Sequence, residues 1–169
     1  MYTFTASTGS IVELVDHDSP HCGVVLDDHL IIELIAFQDE RLHKMLCKLI
    51  LLDFSKVDKH PLTQKSPFYK LRKDSGFPWS KAQLKDRINK LRPKYENQDY
   101  HIIYKNCQHF AWELATGEAK SPDADRFSVV GGPIGLMFKI KDFGSTSSSI
   151  SLADLREFQD SLSYYLYQL

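Results

Sequence analysis

Two near-continuous runs of apolar and β-branched residues lie almost back to back in this chain. They are His21-Cys22-Gly23-Val24-Val25-Leu26 and Leu30 to Ala36, with only Asp27, Asp28 and His29 between them. Short runs of this kind, joined by so few polar residues, specify a β-hairpin. Neither run alternates cleanly, so both strands are predicted to sit inside a sheet covered on at least one side. Ile11 to Val15 reads as a further strand, while KMLCKLILLDF (44–54) reads equally as strand or helix. Lys56 to Pro78 is polar and holds Pro61, Pro67 and Pro78, which predicts loop or broken structure.

The clearest helix begins at Ser80. Ser80 and Gln83 form a capping-box pair, and Trp79 and Leu84 stand where a hydrophobic staple closes. Leu84, Ile88, Leu91 and Tyr95 make one apolar stripe opposite Lys85, Arg87, Lys90 and Lys94, with Pro93 weakening the last turn. Tyr100 to Tyr104 is a strand candidate that runs into a second helix capped by Asn106. Its inward face is Cys107, Phe110, Ala111 and Leu114, and Gly117 ends it in the left-handed conformation. Gly144 to Ser151 has a linker's composition. Leu152, Leu155, Phe158, Leu162, Tyr165 and Leu169 mark a final amphipathic helix that either docks on the domain or meets a protein partner.

Composition excludes several classes. With 169 residues the chain can bury a core of its own. Three cysteines are too few and too scattered for a disulfide scaffold, which points to a reducing, cytoplasmic setting. The first 16 residues lack the positive flank and apolar run of a signal peptide. Phe127 to Phe138 is the most membrane-like stretch, and at 12 residues it is too short to span a bilayer. The net charge of −1 hides a basic middle: residues 56–105 carry +8 and the remainder −9. Such a middle suits either a solvated basic face or peripheral contact with anionic lipid on an intracellular membrane. No zinc-finger spacing, P-loop or paired RNA-binding aromatic motif supports nucleic acid.

Cys107 is the residue with the most chemical potential. As the first residue of a helix, its sulfur lies near unsatisfied amides and the positive end of the dipole, both of which favour thiolate. A thiol nucleophile needs a proton-handling partner, and histidine serves near neutral pH. His109 points about 200° round the helix from Cys107 and cannot be that partner. His101 is too close along the chain. His21 opens a central strand and can face the helix tip. A metal reading of Asp16, His17, Asp18 and His21 is weak, because Pro20 interrupts any helical pair.

Glu33 is the candidate third member, a carboxylate inside Leu30-Ile31-Ile32-Glu33-Leu34-Ile35 that needs a partner if buried. Hairpin parity decides whether it can serve. A two-residue turn at Asp27-Asp28 puts Glu33 opposite in face to His21. A three-residue loop pairs Leu26 with Leu30 and puts His21, Gly23, Glu33 and Ile35 on one face.

Two blocks resemble the lecithin:retinol acyltransferase-like group of NlpC-type, papain-related thiol enzymes, which includes the small phospholipase/acyltransferases and the H-box/NC proteins. One is Gly9 to Ala36, similar to the family's opening strand, histidine box and following strand. The other is Leu84 to Gly117, containing Lys105-Asn106-Cys107-Gln108-His109-Phe110. The resemblance implies an α+β fold, an antiparallel sheet with packed helices in the circularly permuted papain-like arrangement. It spans roughly residues 9–117 and implies a domain at 1–118, followed by a C-terminal extension at 119–169.

It further implies Cys107 as nucleophile, His21 as base and Glu33 in the third polar position, where the family commonly has histidine. Cys22 replaces the usual aromatic residue, and Gln108 the usual glutamate. The implied chemistry is acyl transfer from a phospholipid or other acyl-lipid through a thioester, with no cofactor and no metal. Two alternatives stay open on the same scaffold: a catalytically inactive interaction protein, and a cysteine peptidase or amidase.

Overall fold

The structure is a computed structural model and describes residues 5–15, 20–76, 78–101, 104–125 and 150–168. Five strands form one antiparallel sheet: β1 (Ile11–Leu14), β2 (Cys22–Asp27), β3 (Leu30–Asp39), β4 (Lys44–Asp53) and β5 (Tyr69–Lys73). Their spatial order is β4-β3-β2-β1-β5. Among the described residues three longer helices follow, α1 (Lys81–Tyr95), α2 (Cys107–Thr116) and α3 (Leu152–Tyr167), and 122–125 is also helical. The expected α+β architecture of antiparallel sheet and packed helices is therefore present at this coarse level.

Both faces of the sheet are covered, which explains the unbroken apolar runs in β2 and β3. On the first face Cys22, Val24, Leu26, Ile32, Leu34, Leu49 and Leu51 pack with Leu84, Ile88 and Tyr95 of α1 and Phe110, Ala111 and Leu114 of α2. On the second face Val12, Leu14, Val25, Ile31, Ile35, Ile50 and Leu52 pack with Phe54, Tyr69 and Leu155. The α3 helix docks along β4. It contributes Leu155 to one cluster and Leu162 to the other, so it straddles the outer strand, whose edge is hydrogen-bonded by the 96–100 segment through Cys47 with Asn97 and Gln98 and through Met45 with Tyr100.

The segment 44–54, readable either way in the sequence, resolves as strand because its full length pairs with β3, from Leu30↔Asp53 to Asp39↔Lys44. One expectation is corrected. Lys56 to Pro78 is not loop throughout: Tyr69–Lys73 is β5, paired antiparallel with β1. Its alternation is masked in sequence because only Tyr69 is buried, the neighbouring Lys70 and Leu71 being exposed at the sheet edge. At 100–104 the described residues Tyr100, His101 and Tyr104 belong to none of the five strands, and residues 102–103 lie outside the described residues. Among the described residues His101 bridges back to Lys105, and Asp99 meets Leu46 through a single isolated bridge. The stretches Asp16–Asp18 and Phe127–Phe138, and residues 144–149 of the linker, lie outside the described residues.

Local signals at the two central helices behave as the sequence predicts. Ser80 caps α1 with both capping-box hydrogen bonds formed. Asn106 caps α2, and Gly117 closes it at φ 86°. The basic residues of α1 are not all solvated. Arg87 donates to the carbonyls of Leu114 (2.8 Å) and Glu113 (2.6 Å), and Lys94 pairs with the Glu113 carboxylate. Part of the basic middle thus fastens α1 to the C-terminal end of α2, where cations meet the negative end of the dipole.

Candidate active site

The hairpin has the parity that brings His21 and Glu33 to one face, by a route other than a three-residue loop. Gly23 pairs with Glu33 and Val24 with Ile32, but the register slips so that Asp27 pairs with Leu30. The turn is Asp28-His29, and Leu26 is the extra residue of a β-bulge. The bulge reverses the parity that a plain two-residue turn would impose.

His21 stands immediately before the first paired residue of β2, its carbonyl accepting from the Leu14 amide at 2.9 Å. Its Nε2 lies 2.8 Å from Glu33 Oε2. Gly23, directly opposite Glu33, leaves room for that side chain: a Cβ there would lie 2.6 Å from Ile31 Cγ2 and 2.9 Å from Glu33 Cγ.

Cys107 opens α2, 2 % exposed, beneath the Asn106 cap. The cap's Oδ1 accepts from the amides of Gln108 (2.9 Å) and His109 (3.1 Å). Its Nδ2 donates to Ser121 Oγ at 3.0 Å. The sulfur lies 3.8 Å from the Pro20 carbonyl and hydrogen-bonds to the His21 side chain. Since Glu33 occupies Nε2 of that ring, Nδ1 is the nitrogen left for the sulfur. The Tyr100 hydroxyl hydrogen-bonds to the backbone at Cys107. All three residues expected at a site, Cys107, His21 and Glu33, therefore lie in one hydrogen-bonded array.

His109 completes the α2 capping box through its Nδ1 and plays no part at the sulfur. Gln108 is also structural: its Oε1 accepts from Ser121 Oγ and the Asp123 amide, and its Nε2 meets the Asp123 carboxylate. Arg72 links that same Asp123 to Glu13 across β5 and β1.

The electrostatics of the array are dominated by one buried ion pair. Burial by itself would push His21 down. The Glu33 carboxylate, with the Cys107 side chain, outweighs it and raises the imidazole to about 10. Burial likewise works to raise Glu33, but His60 and His21 hold its carboxyl well below the usual range. The other two thiols are unlike Cys107 in surroundings. Burial pushes Cys22 far up, with the charge of Cys107 adding to it, and pushes Cys47 up to about 12.

Two residues at Glu33 escaped the sequence reading. His60 Nε2 lies 2.9 Å from Glu33 Oε2, and the Tyr69 hydroxyl donates to Oε1 at 2.5 Å. Both come from the stretch read as loop. The one available hint is that a buried carboxylate has more acceptor sites than a single histidine can fill.

Donor atoms of His21, Glu33 and His60 lie within 4.8 Å of one another, close enough to hold a metal ion. The tautomer of His60 argues against that use. Its Nδ1 accepts from the Leu62 amide at 3.1 Å, so the proton sits on Nε2 and points at Glu33. A metal-bound imidazole instead donates from its second nitrogen, and an N–H faces that position here.

A cleft of about 780 Å³ lies between α3 and the β3–β4 end, bordered by His29, Asp53, Arg156 and Tyr164. It includes none of the three array residues. No family model matches the chain, and no curated protein matches it.

Proposed function

We propose that the protein is a thiol-dependent acyl-transfer enzyme acting on a phospholipid or other acyl-lipid ester through a thioester on Cys107. The observation that carries this reading is the continuous Cys107–His21–Glu33 array, a helix-tip thiol hydrogen-bonded to an imidazole that a buried carboxylate holds from behind. The resemblance of residues 9–36 and 84–117 to the lecithin:retinol acyltransferase-like group supports the same chemistry and supplies the lipid substrate class.

The raised imidazole sets the order of proton steps. His21 carries its proton at neutral pH, so on attack the Cys107 proton passes to solvent while the imidazolium and the α2 dipole face the sulfur. The thiolate attacks the ester carbonyl, forming an S–C bond. As the C–O bond breaks, His21 gives its proton to the departing alkoxide. Neutral His21 then takes a proton from water, or from an acceptor alcohol or amine, as that oxygen or nitrogen attacks the thioester. The C–S bond breaks, thiolate is released and imidazolium is restored.

A second reading, a non-catalytic interaction protein on the same scaffold, draws on the low exposure of Cys107, which a substrate carbonyl must reach. Incubation with a fluorescent acyl-phospholipid separates the two. The enzyme reading expects lipid turnover and an acyl mass adduct that neutral hydroxylamine removes, both lost in Cys107→Ala. Absence of adduct and turnover in the wild type, with the protein folded, overturns it.

A further inference from the structure

Glu33 is fully buried and accepts from three side chains that arrive from three different parts of the fold. His21 comes from the start of β2, His60 from the β4–β5 connection and Tyr69 from the first position of β5. Both histidines address Oε2 while the tyrosine addresses Oε1. The His60 ring is itself fully buried and is set edge-on to its neighbours, 5.8 Å from His21 and 6.2 Å from Tyr69 between ring centres.

The orientation of His60 is fixed by more than packing. The Leu62 amide donates to Nδ1 from two residues along the chain, closing a local turn that allows only the Nε2–H tautomer. The backbone therefore determines which way this proton points. It points at the oxygen that His21 uses.

We infer that His60 is a positioning residue for His21, acting through Glu33, and that Tyr69 completes the clamp on the second carboxylate oxygen. A carboxylate bound only by His21 is free to turn about its terminal torsion, and in a dry site it is poorly solvated as an anion. Donors on both oxygens remove that freedom and stabilise the charge. The imidazole then has one orientation, with its remaining nitrogen toward Cys107. The consequence for catalysis rests on the acyl-transfer reading, whereas the geometry of the clamp does not.

The groups facing the His21 ring are Glu33 from β3, His60 from the β4–β5 connection and Cys107 from α2, with Tyr69 behind Glu33. Titration of the His21 ring by ¹⁵N NMR, in the full chain carrying Cys107→Ser, reads the clamp without any turnover. Changing His60 to leucine removes the donor. His60→Gln keeps an N–H toward Glu33, and Tyr69→Phe removes only the hydroxyl.

The expected result is that His60→Leu moves the His21 titration down by at least one pH unit toward its ordinary value. His60→Gln should restore most of the shift, and Tyr69→Phe should give a smaller one. In the wild-type background, His60→Leu should slow Cys107 alkylation at neutral pH by loosening the aim of the His21 ring at the sulfur, with His60→Gln close to normal. An unmoved His21 titration in folded Tyr69→Phe and in whichever His60 variant folds overturns the inference. So does a His60→Gln protein that behaves like His60→Leu. Stabilisation by added Zn²⁺ that His60→Gln abolishes also overturns it, in favour of a metal site. If the clamp behaves as expected but no acyl adduct ever forms, the acyl-transfer reading fails and this one stands.

Discussion

Gly23 and Glu33 face each other across the central strand pair, and the space a side chain would fill at Gly23 is taken by the stem of Glu33. A methyl group at residue 23 would lie 2.9 Å from Glu33 Cγ and 2.6 Å from Ile31 Cγ2. Neither neighbour can yield freely, because Ile31 is packed in the core and Glu33 is fastened at both oxygens. Gly23→Ala should therefore destabilise the fold by about 1–3 kcal/mol, the usual range for overpacking. Urea unfolding should show the lower midpoint. Loss of the His21 contact should appear alongside it as slower Cys107 alkylation, and an unchanged midpoint with unchanged alkylation would contradict the crowding described.

The His21–Glu33 pair gives stability a definite dependence on pH. His21 is raised from an ordinary 6.5 to about 10, so its contribution is complete below 6.5 and is lost as pH climbs through about 10. Glu33 is depressed, so its contribution is complete above its ordinary 4.5 and is lost as pH falls toward its lower folded value. The pair helps most between those two ordinary values. In urea unfolding, the stability gap between wild type and Glu33→Gln should be largest near pH 5.5 and should shrink steadily between pH 6.5 and 10. A gap that stays constant with pH would mean that the two groups are not ionised partners.

How much of this site was legible in the sequence depends on the range over which each feature is determined. Asn106 and Ser80 as caps, and Gly117 as a helix terminator, are decided within a few residues, and the structure agrees at all three. The strand character of 44–54 depended on whether a neighbour existed for it, which only β3 could supply. The shared face of His21 and Glu33 could be stated as a condition but not resolved. A bulge at Leu26 changes parity without any glycine or proline to announce it. His60 and Tyr69 were illegible for a different reason. Each lies at least 27 residues from Glu33 in the chain, and nothing local marks a histidine–proline pair in a polar segment as the floor of a buried site.

The three thiols should separate cleanly by reactivity. Cys22 and Cys47 are fully buried and are pushed up by their surroundings, to about 12 for Cys47. Cys107 is alone in having an imidazolium partner and a helix N-terminus. Iodoacetamide at pH 7 followed by peptide mass analysis should label Cys107 first, with Cys22 and Cys47 modified only after denaturation. Glu33→Gln should slow the Cys107 step, because it removes the buried carboxylate that keeps His21 an imidazolium at pH 7 against the opposing effect of burial. Equal labelling of all three thiols in the folded protein would remove the distinction.

The cap of α2 carries more than the cap of α1, and the two can be compared directly. The Ser80 side chain accepts from one amide at an exposed helix start, so Ser80→Ala should cost about 1 kcal/mol. Asn106 is 5 % exposed and accepts from two amides while donating to buried Ser121. Asn106→Ala should reach the upper end of the cap range, about 2 kcal/mol, because it strands donors that water cannot readily reach. Asn106→Asp keeps the acceptor for both amides, so it should recover much of that loss, although it gives up the bond to Ser121. It also places a negative charge next to Cys107, which disfavours thiolate. Chemical unfolding should therefore rank the proteins as wild type, aspartate, then alanine. Alkylation at neutral pH should be slower in the aspartate variant than in wild type despite its well-formed helix. Equal stability of the alanine and aspartate proteins would mean that the Oδ1 contacts do not hold the end of α2 on which the position of Cys107 depends.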